Sequence, residues 1–197
     1  MGSNPKAKKR SRWVVIITIW TFILAVLISM VTQLIFSKIN SFFVSLFILL
    51  IIIITGILFD MIGIAATAAD EVPLLSKAAK KVTGAREALY LIRNADRFSN
   101  FCNDVIGDIS GIISGVMGAL LVLRLISSGL FEAHPALSVV ATGLISALTV
   151  GGKALGKTVA IERSTDIILS FATILTKVEA ILPGQIFFGR DLPPRRK

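Results

Sequence analysis

The chain has 197 residues, 54% of them hydrophobic and only 17% charged, with a formal net charge of +9 and a mean hydropathy of +0.82. A composition this apolar points to an integral α-helical membrane protein. The lone cysteine, Cys102, excludes an internal disulfide and a cysteine-built metal site, and no nucleophile–base pair, Walker sequence or Cys/His cluster marks an enzyme.

Residues 1–12 contain "KAKKRSR" with Gly, Ser and Pro nearby, and read as a disordered basic tail. Trp13 to Phe36 carries no charge. A crossing helix needs about 20 apolar residues, whereas the apolar core of a cleaved signal peptide runs to about 7–15, so this run is a retained first span. A short link, Ser37 to Ser41, leads into a second span over residues 42–69, interrupted only by Asp60. It closes in "GIAATAA", whose small side chains let helices approach closely in lipid.

Residues 70–100 read as cytoplasmic juxtamembrane helices. Asp70 and Glu71 precede Pro73, acids and proline being favoured at a helix start. The segment breaks or bends near Thr83–Gly84. An apolar stripe of Leu75, Ala78, Ala79 and Val82 is expected to dock on the membrane or the bundle. A second transmembrane hairpin covers 101–160: Val105 to Leu123 carries one charge, Asp108, and Ala136 to Gly152 carries none. Between them His134 reads as an exposed loop histidine. Residues 161–183, with Ile167, Ile168, Phe171, Ile174, Leu175, Val178 and Leu182 at three- and four-residue steps, predict an amphipathic interfacial helix. Pro183–Gly184 ends it, and 184–197 form a basic tail.

Charge then orients the chain. The basic residues gather at the two ends and in 70–100, which the positive-inside rule assigns to the cytoplasm of a plasma-membrane protein. The net charge is an orientation signal with some attraction to anionic lipid, and does not indicate nucleic-acid binding. The expected fold is an all-α integral membrane protein with four transmembrane helices, a juxtamembrane helical segment and a C-terminal amphipathic interfacial helix.

Four of the charges in the second hairpin, Asp104, Asp108, Lys153 and Lys157, fall toward its cytoplasmic end. At about 1.5 Å of rise per residue, Asp104 lies roughly 5 Å and Asp108 roughly 10 Å beyond Phe101. Lys157 and Lys153 reach matching depths on the fourth span, and each pair shares a helix face. Antiparallel packing predicts two rungs, Asp108–Lys153 and Asp104–Lys157, with Asp60 at a similar depth. An unpaired charge at a helix centre costs about 2.5–3.5 kcal/mol, so these groups need partners. They form either a structural ion-pair ladder or a polar cavity for a cation, lined by Asp104, Asp108, Asn103, Ser110 and Asp60. Oxygen ligands suit Mg²⁺ or a similar hard ion, for which Lys153 would be a competitor. A separation above about 10 Å between Asp108 and Lys153 would exclude the ladder. Gly107, Gly111 and Gly115, and Gly151, Gly152 and Gly156, are expected at close helix contacts.

The order "GIAATAA", "NADRFSN", "VIGDIS", "GGKALGKT" and "IERSTDIILSFATILTKVEAIL" resembles the membrane domain of the CorB/CorC and cyclin M magnesium transporters over roughly residues 42–183. In that family the corresponding motifs are S-G-x-E-T-A, a D-R before the next span, I-G-N-N, G-E-x-x-P-K-T and an amphipathic belt helix. The resemblance implies divalent cation transport (Mg²⁺ or Co²⁺ as substrate, with no resident cofactor), homodimer assembly, and a cavity that includes Thr67. It places Asp108 at the first Asn of I-G-N-N, and Lys153 and Gly156 at the Glu and Pro of the third motif. The family's CBS domains have no counterpart in these residues, and a first span is added. Two functions follow: a divalent cation transporter with an altered ion site, or a non-transporting membrane scaffold or accessory subunit whose charges are structural.

Overall fold

The computed structural model describes residues 5–39, 41–129 and 135–181, and among these there are helices and no strands. In chain order the helices are α1 (Pro5–Lys38), α2 (Phe42–Ala68), α3 (Glu71–Ala79), α4 (Ala85–Arg93) and α5 (Ala95–Asn100). A π-helical turn (Phe101–Gly107) follows, then α6 (Asp108–Ser127), α7 (Pro135–Glu162) and α8 (Ser164–Ile181). Four stretches are long and apolar enough to cross a membrane: Val15–Lys38, Phe42–Ala68, Ala95–Ser127 and Ala136–Glu162. His134, Leu182, Pro183 and all of the basic tail over 184–197 lie outside the described residues.

The basic tail expected over 1–12 is largely taken into α1, which begins at Pro5. Proline fits a first helical turn, where its missing N–H removes nothing, and Lys and Arg are good helix formers. The third apolar stretch is longer than expected, because α5, the π-helical turn and α6 run on without a break.

Two hydrophobic cores divide the molecule. The first gathers Phe36, Leu49, Ile53, Val105, Ile109, Ile113, Met117 and Leu121, where α2 lies along the π-helical turn and α6. The second gathers Ala66, Leu74, Ala88, Leu89, Leu91, Ile168 and Ala172, where the end of α2 meets α3, α4 and α8. Helix α2 reaches both cores, so its end joins the spanning bundle to the helices outside it.

Helix α1 stands at the edge, with most of its apolar side chains exposed. Arg124 ties its end to the bundle. The guanidinium donates to the Phe36 carbonyl at 2.6 Å and the Ser45 hydroxyl at 2.9 Å, and lies 4.8 Å over the Phe36 ring. Phe36 belongs to the last turn of α1, where carbonyls run out of helical partners.

The stripe expected on α3, to meet the membrane or the bundle, is mostly turned away from the bundle. On α3 the fully buried residue is Leu74, with Ala78 partly covered, while Leu75, Ala79 and Val82 point outward. Two ion pairs fix this rotation. Glu71 pairs with Arg93 of α4 at 3.1 Å, and Lys77 pairs with Asp166 of α8 at 3.3 Å. The Glu71 hydrogen bond and charge also hold the Arg93 guanidinium above its usual pKa. On α8 the apolar face is shared: Ile168 and Ala172 are buried in the second core, and Ile174 and Val178 are exposed. Helix α4 has its own apolar residues, Ala85, Ala88, Leu89 and Leu91, buried in this region, so part of α8 covers protein.

Candidate functional site

A polar seam runs between α2 and the π-helical turn with the start of α6. Helix α2 contributes Gly56, Asp60 and Gly63 at four- and three-residue steps, so all three lie on one face. Opposite them stand Ser110, Gly107 and Asn103. Glycine allows the close approach at two points. A Cβ on Gly56 would sit 2.8 Å from that of Ser110, and a Cβ on Gly63 would collide with the Asn103 side-chain carbonyl. Helix α7 closes the third side, with Gly152 and Gly156 against Ile57 and Met61 of α2.

Lys153 of α7 reaches into this seam. Its Nζ lies 3.4 Å from Asp108 Oδ1 and 3.6 Å from Asp60 Oδ1. The expected Asp108–Lys153 rung is therefore present, and Asp60 is a second partner of the same ammonium. The two carboxylates differ in setting: the Asp60 side chain is 16% exposed and that of Asp108 is 64% exposed. Gly107 provides the floor, since a Cβ there would lie 3.4 Å from Lys153 Nζ and 3.6 Å from Asp60 Oδ1.

The second rung is not formed. Asp104 and Lys157 are both exposed, and no salt bridge joins them among the described residues. The backbone supplies the reason. Residues Phe101–Gly107 are π-helical, and the Asp108 N–H donates to the Asn103 carbonyl five residues back. This wider turn changes the angular step between Asp104 and Asp108, so the four-residue facing rule of an α-helix does not carry across it.

Asn103 sits on the same turn. Its Nδ2 donates to Ser99 Oγ at 3.2 Å, while its Oδ1 is buried and accepts no hydrogen bond. A buried acceptor without a donor costs about 1–3 kcal/mol, which makes this oxygen the strained polar group of the seam. Thr67 is turned onto its own helix, donating to the Ile64 carbonyl at 2.8 Å, and is exposed. Ser110 packs at Gly56. The sequence-predicted residues thus separate into a charge triad, Asp60, Asp108 and Lys153, two residues facing α2 along the same seam, Asn103 and Ser110, and an outlying group, Asp104, Lys157 and Thr67.

Among the described residues no three His, Cys, Asp or Glu side chains form a metal-holding group. A hard cation here would be held by Asp60 and Asp108 with neutral oxygens such as Asn103 Oδ1, and Lys153 would have to withdraw. Sequence reasoning missed Gly56 and Gly63, whose spacing about Asp60 was a readable signal, and Arg124, one residue beyond the third apolar run. The π-helical turn had no sequence signal. Comparisons with family models, with curated proteins and with solved structures found no match to this chain.

Proposed function

We propose that the chain is a multi-pass plasma-membrane protein that handles a divalent cation of the Mg²⁺ or Co²⁺ class at Asp60 and Asp108. Both ends and residues 70–100 face the cytoplasm. Asn103 carries this reading: it offers a buried oxygen, with no donor among the described residues, on the same π-helical turn that leads into Asp108. Such turns occur often at functional sites, and a hard cation is the partner that two carboxylates and an amide oxygen suit. The motif order supports it as well. Lys153 acts as a tethered competitor, a +1 charge lying between the carboxylates that a divalent ion must displace.

The test is Mg²⁺ flux in proteoliposomes. The parent chain is expected to carry flux, and Asp60→Asn and Asp108→Asn to lower it tenfold or more, about 1.4 kcal/mol in barrier. Lys153→Ala, freeing the carboxylates, is expected to raise Mg²⁺ affinity. A parent and a Lys153→Ala variant that both carry no flux would end the transport reading.

A second reading has its own observation, the two short contacts of Lys153, which satisfy both carboxylates without an ion. The chain is then a scaffold or accessory subunit with a structural charge triad. Its signature is an assembly defect in each of Asp108→Lys and Lys153→Asp that the combined exchange repairs. Homodimer assembly, implied by the resemblance, belongs with either reading. Gly111 and Gly115 have nothing within 4 Å of a notional Cβ, which leaves that face of α6 open for a second copy.

A further inference from the structure

Helix α3 begins three residues after α2 ends, at Glu71 against Ala68. If α2 crosses a bilayer, α3 lies within a few ångströms of its surface. The rotation of α3 is fixed by Leu74 in the second core and by the Glu71–Arg93 and Lys77–Asp166 pairs. Those three anchors share one face. The opposite face carries Val72, Leu75 and Ala79 within about 60° of arc, and Val82 follows in the next turn. None of these is covered: Val72 is 75% exposed, Leu75 46% and Val82 42%.

Charge accompanies this stripe. Lys80 and Lys81 follow the last turn of α3 and are exposed, with no ion pair among the described residues. Their turn is held in place. Lys81 adopts the left-handed region at φ 58°, and Gly84 does so at φ 81°. That conformation costs a residue with a Cβ about 1–2 kcal/mol. The Thr83 carbonyl accepts from Thr173 of α8 at 3.0 Å, and a Cβ on Gly84 would strike the Thr173 backbone. Lys81 and Arg86, with the buried Glu87, line a notch of about 200 Å³ next to Val82. The result is an apolar stripe with cations at one end on a rigidly positioned short helix.

We infer that this outward face of α3, Val72, Leu75, Ala79 and Val82 with Lys80, Lys81 and Arg86, docks on the anionic lipid headgroups of the leaflet into which α2 ends. Apolar side chains enter the boundary between headgroups and acyl chains, while the cations meet phosphates. This division of labour is what an interfacial amphipathic helix requires, and each cation near an anionic leaflet strengthens the attraction. The inference rests on the membrane reading of α2 and is independent of cation transport.

The experiment uses the full chain in nanodiscs of phosphatidylcholine alone or mixed with phosphatidylglycerol, with a nitroxide on Leu75→Cys and a second on Val72→Cys. Both labels are expected to show greater contact with oxygen than with a water-soluble nickel reagent, and more so in the anionic discs. Lys80→Gln with Lys81→Gln is expected to abolish the difference between the two bilayers. The same double variant should weaken the apparent affinity for phosphatidylglycerol in a native mass spectrometry titration by about fivefold per lysine removed. Labels that contact the nickel reagent freely in both bilayers, in protein whose helical content matches the parent, would overturn the docking. Interfacial labels with equal depth in both bilayers and no lipid preference would overturn the role of the lysines.

Discussion

Two basic side chains enter the bundle, Arg124 near one end and Lys153 near the other, and they are accommodated in opposite ways. Arg124 pairs with no carboxylate among the described residues. Its donors go to a hydroxyl, a backbone carbonyl and an aromatic face, all on helices that it joins. Lys153 has two carboxylates on two helices. The guanidinium's fixed fork suits several neutral acceptors at once, while an ammonium is a compact point charge on a flexible stem. The first arrangement is a clamp among fully used partners. The second shares one ammonium between two carboxylates on two helices.

Removing the clamp should have the largest effect. Arg124→Ala leaves the fully buried Ser45 hydroxyl without its donor and releases the end of α1. The expected loss is about 2–4 kcal/mol, read as a lower thermal midpoint in detergent, with faster proteolysis near the α1–α2 link. Gly63→Ala comes next, because the new methyl meets the Asn103 amide in a packed seam. Overpacking of this kind costs about 1–3 kcal/mol, and the same melting measurement checks it. Lys153→Ala is expected to cost less, about 1–2 kcal/mol, since both carboxylates keep some exposure. Adding Asp60→Asn should recover most of that loss if the pair is the cause. Gly111→Ala has open space to fill and should be neutral or stabilising by up to about 1 kcal/mol. Equal losses at Gly63 and Gly111 would break the distinction between the seam and the open face of α6. A Lys153→Ala loss as large as that of Arg124→Ala would make Lys153 a clamp too.

Much of the site was legible because its signals are local. Uncharged runs gave the four long apolar helices, and the Asp108–Lys153 match followed from counting residues along two antiparallel helices. That count held for Asp108, which opens α6 just past the π-helical turn, and for Lys153 inside α7. It did not carry to Asp104 and Lys157, because π-helical bonding over Phe101–Gly107 changes the angular step and leaves no mark in residue type. The stripe on α3 was legible from its spacing, but not whether it meets the membrane or the bundle. Leu74 and Leu75 are equally apolar, and only the pairs to Arg93 and Asp166, remote in sequence, choose which turns inward.

The sequence alone determined the helical class, the number of helices fit to cross a membrane and the presence of opposite charges at matching depths. These follow from composition and from the fixed rise of a helix. Only the tertiary structure decided that Lys153 takes Asp60 as well as Asp108, that Asn103 keeps an oxygen without a donor, and that Arg124 closes the far end. Each depends on contacts between helices whose rotations are set by packing around glycines and by pairs far apart in the chain.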